Sequence, residues 1–170
     1  MDVLTHYFRA ADPAAVEAAM RLDTASPIGR EPGFDGVAFK ELDAVVALGR
    51  LLAAITGVEW ASGLTESVPI YPPAGTAPKG GDWAGLADDS PWVTGPWVTE
   101  LGEGTRHALA SLDPASIPAV AAEWAAAEEF EGELAPPAAE QIIGELQGLA
   151  RRAEEAGERL YCWSCLWVRP

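Results

Sequence analysis

The chain has 170 residues, with 26 acidic against 11 basic side chains and a formal net charge of −15. Lysine is nearly absent, only Lys40 and Lys79, while 49% of the residues are hydrophobic and seven are tryptophan. The length suffices for one domain with its own core. The apolar fraction rules out a disordered chain, and the charge excludes nucleic acid and an anionic membrane surface as direct partners, since both need a cationic face.

The first residues show no basic segment followed by an apolar one, so no secretory signal is expected. The longest apolar candidate, residues 42–55, is too short to span a membrane and is interrupted by Asp43 and Arg50. Cys162 and Cys165 allow one bridge at most, which is no disulfide framework. The Ala-rich composition that prefers Arg to Lys matches a GC-rich bacterial genome. These features predict a cytoplasmic bacterial protein of 1–170 as a single domain.

In chain order, residues 3–9 are apolar and β-favourable and predict a first strand. Asp12-Pro13 reads as the cap and first position of a helix, whose stripe is Val16, Ala19 and Met20, ending before Asp23. Residues 24–36 read as a loop. A second helix is expected over 41–56, apolar almost all round and therefore buried. Glu41 and Asp43 suit its positive end, and Gly57 suits its stop.

Residues 57–104 hold six prolines, nine glycines and four tryptophans, a density that excludes long helices. Short strands are expected over 67–71 and 92–101. Pro91-Trp-Val-Thr-Gly95 is echoed at once by Pro96-Trp-Val-Thr-Glu100. An offset of five puts Trp92 and Trp97 on opposite faces of a strand, so a turn at Gly95-Pro96 is an equal reading.

A short helix is expected over 106–112, and a second from Asp113-Pro114 or Ser116, with Ile117, Val120, Ala121 and Trp124 on one face. An acidic turn follows with Glu128, Glu129, Glu131 and Glu133. Pro136-Pro137 opens the last helix, striped by Ile142, Ile143, Leu146, Leu149, Ala150 and Ala153 and stopped by Gly157. Residues 159–168 predict a closing strand that pairs centrally with the first. The order of elements predicts an α+β fold: a small mixed or antiparallel sheet, about five helices and a Trp/Pro/Gly-rich irregular middle.

Several patterns could carry chemistry. Cys162-Trp-Ser-Cys165 has the spacing of a redox couple or half a zinc site, with His6 and His107 as the remaining nitrogen ligands. It lies in a β-prone run with no helix after it, and in a strand its thiols face opposite sides, so inert cysteines are the main reading. His6 reads as a strand histidine. Arg106 and His107 follow the turn of Gly102, Glu103 and Gly104, where a cation and helix amides can receive an anion. Trp60, Trp83, Trp92 and Trp97 mix with Glu59, Glu66, Asp82, Asp88, Asp89 and Glu100. Tryptophan with carboxylates suits sugar binding or glycoside hydrolysis, but no spacing singles out an acid pair, and core packing is the plainer use of these rings. Gly144 and Gly148 suggest a close approach to a neighbouring element. The turn with Glu128 to Glu133 is either a solvated turn or a docking surface for a basic partner. Neither a nucleophile elbow nor a P-loop is present.

Four pieces of sequence resemble the YfbM-like family of bacterial proteins of unknown function. They are the His6-Tyr-Phe8 strand with Asp12-Pro-Ala-Ala-Val16; Leu42-Asp43, Leu51-Leu52 and Thr56-Gly57; the run from Ala108 through Ile117 to Trp124; and the last amphipathic helix with Gly157 and its terminal strand. The family's helix carries an aromatic residue and a histidine where this chain has Val46 and Arg50, and the Trp-Val-Thr echo and the CxxC pattern are outside the likeness. The resemblance implies an α+β fold and transfers no activity. The expectation is an acidic binding module, immunity-like or regulatory, that takes a basic protein or a small polar ligand. Its candidate residues are Trp60, Trp83, Trp92, Trp97, Glu100, Arg106 and His107, with no catalytic residue, metal or cofactor assigned. The alternative is a small hydrolase or carbohydrate-active enzyme working in a Trp-lined cleft.

Overall fold

The structure, a computed structural model, describes residues 2–31, 33–81 and 83–167; Asp82 and Val168 of the expectations above lie outside them. The two apolar ends of the chain pair with each other. Strands β1 (Asp2–Ala10) and β5 (Arg159–Trp167) run antiparallel, from Asp2 opposite Trp167 to Ala10 opposite Arg159. Strand β2 (Gly36–Lys40) adds to β1, β4 (Trp97–Glu100) adds to β5, and β3 (Val68–Tyr71) adds to β4. Every pairing is antiparallel, in the order β2-β1-β5-β4-β3. The expected α+β class and the central pairing of first and last strands are both observed.

Side chains alternate across the sheet. Tyr7, Leu160 and Cys162 point into one core with the larger group of helices, while Phe8, Ala10, Tyr161, Trp163 and Val98 point into a second core on the other face. That second core is closed by α1 (Pro13–Leu22), which contributes Val16 and Met20. Its start is the one expected: Asp12 accepts a hydrogen bond from the amide of Ala15 at 2.8 Å, with Pro13 at the first position.

The first core is built on α2 (Ala47–Thr56), α4 (Glu103–Ser111), α5 (Ile117–Ala125) and the long α6 (Pro136–Ala156); the one-turn α3 (Pro91–Thr94) lies in the Trp-rich segment. Trp124 is fully buried there, and its indole donates to the carbonyl of Ala47 at 2.9 Å. Helix α6 also finishes α4. Gln147 donates to the carbonyl of Leu112 at 2.6 Å, and Arg151 donates to that of Ala110 at 3.0 Å. Carbonyls that a helix end leaves without partners are thereby satisfied.

Three expectations need correction. The helix expected over 41–56 starts only at Ala47, with Val46 as its cap residue, because Asp43 closes a separate turn over residues 44–46 ahead of it. Its carboxylate accepts from the amides of Val45, Val46 and Ala47 at 2.9, 2.6 and 3.1 Å. Gly36, expected at the end of a loop, and residues 37–40, which carry no expectation, form the edge strand β2. The strand expected over 92–101 is limited to 97–100. Ser90-Pro91 starts a helical turn, with the Ser90 hydroxyl accepting from the amide of Trp92 at 3.3 Å, and β4 begins only after Gly95-Pro96. Gly144 and Gly148 mark no close approach: a β-carbon on Gly144 would meet nothing, and one on Gly148 would meet only Arg152 of its own helix. No helix among the described residues is long and apolar enough to cross a membrane.

One glycine is needed for packing. A β-carbon on Gly49, buried in α2, would lie 2.8 Å from Nε1 of Trp60 and 3.3 Å from its Cδ1. The indole therefore rests on bare helix backbone. Gly49→Ala is expected to push Trp60 off α2 and to cost roughly 1–3 kcal/mol as an overpacked site; urea unfolding measures it. The loss outweighs the gain in helix propensity from Gly to Ala, about 1 kcal/mol, so an unchanged or raised midpoint would refute the packing role.

Candidate binding site

The seven sequence candidates occupy several separate places. Trp60 lies beside α2, with the guanidinium carbon of Arg50 4.4 Å from its ring centroid. Trp83 and Trp92 meet edge to face at 6.0 Å, and Trp92 donates to the hydroxyl of Thr76 at 3.1 Å. Trp83 is 56% exposed. Trp97 and Glu100 sit three apart on β4, opposite Ser164 and Tyr161, and so belong to opposite faces of the sheet. Glu100 is committed to the fold: it accepts from Arg159 at 2.6 Å and from the hydroxyl of Tyr161 at 3.3 Å.

Arg106 and His107 follow one another on α4. Arg106 donates to the carbonyl of Glu158 at 2.6 Å, and His107 lies 3.2 Å from Glu154 of α6. A carboxylate of the chain itself lies near the start of the same helix. A β-carbon on Gly102 would lie 2.7 Å from Oε2 of Glu66, and one on Gly104 would lie 3.5 Å from it. The Glu66 carboxylate thus occupies the positive end of α4.

The cysteine pattern divides across the sheet. Cys162 faces the large core and Cys165 packs against the core beneath α1; both thiols are free. Burial pushes Cys162 up to about 12, with the nearby hydroxyl of Tyr7 opposing the rise. Burial also raises Cys165. Two thiols on opposite faces form neither a CxxC redox couple nor half of one zinc site. His6 shares the face of Cys165. Its ring stacks on Trp163 at 5.0 Å, Nδ1 lies 2.5 Å from the Ser26 hydroxyl, and burial lowers its pKa.

The arginine charges among the described residues are used internally. All eight arginines among the described residues bond to acids or carbonyls of the chain. Four charges join in a network: Arg9 donates to Asp35 at 2.7 Å and to Glu158 at 2.5 Å, and Arg152 donates to the same Asp35 at 2.7 Å. The guanidiniums of Arg152 and, next, Arg9 hold the Asp35 carboxyl below the ordinary carboxylate range.

Four of the acids meet at one concavity that was only half visible in the sequence. A cavity of about 300 Å³ lies between residues 40–47 and the turn over 129–134. Glu41, Asp43, Glu129 and Glu133 line it with one cation, Lys40. Its apolar lining is Leu42, which is buried, and Phe130, Leu134 and Ile142, which are half-buried. Asp43 is fixed by the three amides of the α2 cap. Glu129 is fixed by Arg50, which donates through Nε at 2.8 Å and Nη2 at 2.7 Å and lowers its pKa. The acidic turn pointed to this place; Glu41 and Asp43 carried only a helix-end signal.

Comparison of the chain with protein-family models, curated proteins and solved structures finds no match.

The Asp35 network sets a pH dependence. A carboxyl whose pKa falls on folding stabilises the fold above its unfolded pKa, and that contribution disappears as pH drops through the folded one. The Tm difference between wild type and Asp35→Asn is therefore expected to be largest near neutrality and to shrink below the ordinary carboxylate range; a pH-independent difference refutes the linkage. Buried Cys162, held as the thiol, is expected to resist alkylation until the chain unfolds, so its labelling rate rises in step with denaturant unfolding. Rapid labelling of the native protein at Cys162 would contradict the packing described.

Proposed function

We propose that this protein is a non-catalytic binding module for a basic protein, and that the acidic cavity receives a lysine or arginine side chain of that partner. One observation carries the reading: exposed acids and buried or half-buried apolar residues line the same cavity. Lysine and arginine have this same division, an alkyl stem below a charged head, and they bury the stem while the head stays at the polar edge. The net charge of −15 adds long-range attraction for a basic partner.

A bacterial, cytoplasmic setting belongs to the same proposal and rests on composition. Kinship with the YfbM-like family is likewise proposed, from the order of helices and strands, and it supplies no activity.

The test uses a fluorescent oligolysine peptide and anisotropy at low and high salt. Binding is expected to weaken as salt rises. Glu41→Gln and Glu133→Gln are each expected to weaken it about two- to fivefold. Glu155→Gln, the same charge change on the exposed side of α6, is expected to have a smaller effect. Equal effects of all three would reduce the attraction to net charge and refute the cavity; salt-insensitive binding would refute the mode.

A further inference from the structure

We infer that residues 24–26 form a pH-sensitive strap over His6 and Trp163, closed while His6 is neutral and lifted when it is protonated. The inference stands apart from the acidic cavity.

The strap runs between two fixed points. At one end Asp23 closes α1, its amide donating to the carbonyl of Ala19 at 3.1 Å. At the other end Pro27 is buried. Thr24 and Ala25 between them are exposed, and Ser26 is half-buried. Two side chains of the sheet hold the strap down. Nδ1 of His6 lies 2.5 Å from the Ser26 hydroxyl, and the Trp163 indole donates to the carbonyl of Thr24 at 3.3 Å. The Ser26 oxygen also accepts from the amide of Ile28 at 3.3 Å, so its own proton is free to be donated to a neutral His6.

His6 and Trp163 are directly opposed on β1 and β5 and stack at 5.0 Å. They stay together whether the strap is closed or lifted, so the stack favours neither state. What differs between the states is solvation. Under the strap, burial lowers the His6 pKa. Lifting returns the ring to water, and acid favours the state in which a base is the stronger. The surroundings do not offset this. Ala38 is opposite His6 on β2, and Lys40 and Cys165 lie one pair along on the same face of β2 and β5. Asp23, the acid at the end of the strap, is bonded by Arg30 at 2.9 Å. Protonation at Nδ1 also removes the acceptor that the Ser26 hydroxyl uses. Closure is thus complete above the ordinary histidine value of 6.5 and declines as pH falls from there through the lowered one.

NMR of the tryptophan indole N–H signals, assigned with Trp→Phe variants, tests the strap between about pH 8 and pH 5, alongside titration of the His6 ring. On acidification the Trp163 indole proton is expected to exchange faster with water, after correction for the intrinsic effect of pH. Its midpoint is expected to coincide with that of His6. The Trp124 indole, bonded to the carbonyl of Ala47 in the other core, is expected not to respond. His6→Gln is expected to abolish the response of Trp163. Ser26→Ala, which removes only the bond to the strap, is expected to give fast exchange already at neutral pH and to move the His6 pKa back toward its ordinary value; it decides the matter if His6→Gln does not fold. A Trp163 signal that shifts with His6 without faster exchange reports charge alone and overturns the strap. So does a response that His6→Gln retains, or a His6 pKa that Ser26→Ala leaves unmoved.

Discussion

The register between β1 and β5 decides which side of the molecule every central residue serves. Tyr7 faces Cys162 and Phe8 faces Tyr161. A slip of one residue would exchange the two cores, because side chains alternate with a period of two. The observed register lets Tyr7 donate to the carbonyl of Leu42 at 2.8 Å under the large helical layer. On the other face it stacks Phe8 on Tyr161 at 5.4 Å and on Phe34 at 5.2 Å. Aromatic pairs of this kind contribute about 0.5–1.5 kcal/mol each beyond their buried area. The same alternation separates the two cysteines and aims Arg9 to the helix side, where it meets Asp35 and Glu158.

Charge follows from that arrangement. Arg9, Arg152 and Asp35 tie β1 to α6, Arg106 holds the start of β5, and Arg151 closes the end of α4. Arginine suits such sites, since its planar fork donates in several directions and stays charged. With the described arginines spent on internal bonds, the surplus of acids remains at the surface. That surplus carries self-repulsion as the cost of a long-range field. The acidity is thus a property of outer faces, and the cavity beside α2 is where the field and a concave apolar wall coincide.

Much of the fold was legible where a local rule has one outcome. Asp12-Pro13 and Gly157 marked helix ends correctly, and the apolar ends of the chain announced the central strands. The failures have physical causes. Asp43 was assigned to a first helical turn, yet an aspartate three residues before a buried run is equally a cap, and three amides chose the second role. Ser90-Pro91 repeats the signal of Asp12-Pro13 and could have located α3; the β-favourable Trp-Val-Thr run obscured it. Strand β2 is short, and only Val37 and Phe39 alternate inward. The cavity was illegible as a unit, because its two acidic walls are far apart in sequence and meet only once α2 has packed on the helices behind it.

The Trp-rich segment and the acidic cavity make different use of loops on a common scaffold. The segment puts its rings to several separate uses: Trp60 covers bare helix backbone, Trp92 is tied to Thr76, and Trp97 belongs to the sheet. Glu100, the acid nearest them on β4, is bound to Arg159 on the face opposite Trp97. The cavity, in contrast, fixes two of its four acids by contacts that also hold the fold, Asp43 by a helix start and Glu129 by Arg50. Acids fixed in advance lose less freedom when a cation arrives than mobile ones do. Two of the four acids that line the cavity beside its apolar residues are therefore held in place by the fold itself, whereas the tryptophans of the middle segment are spread over separate places.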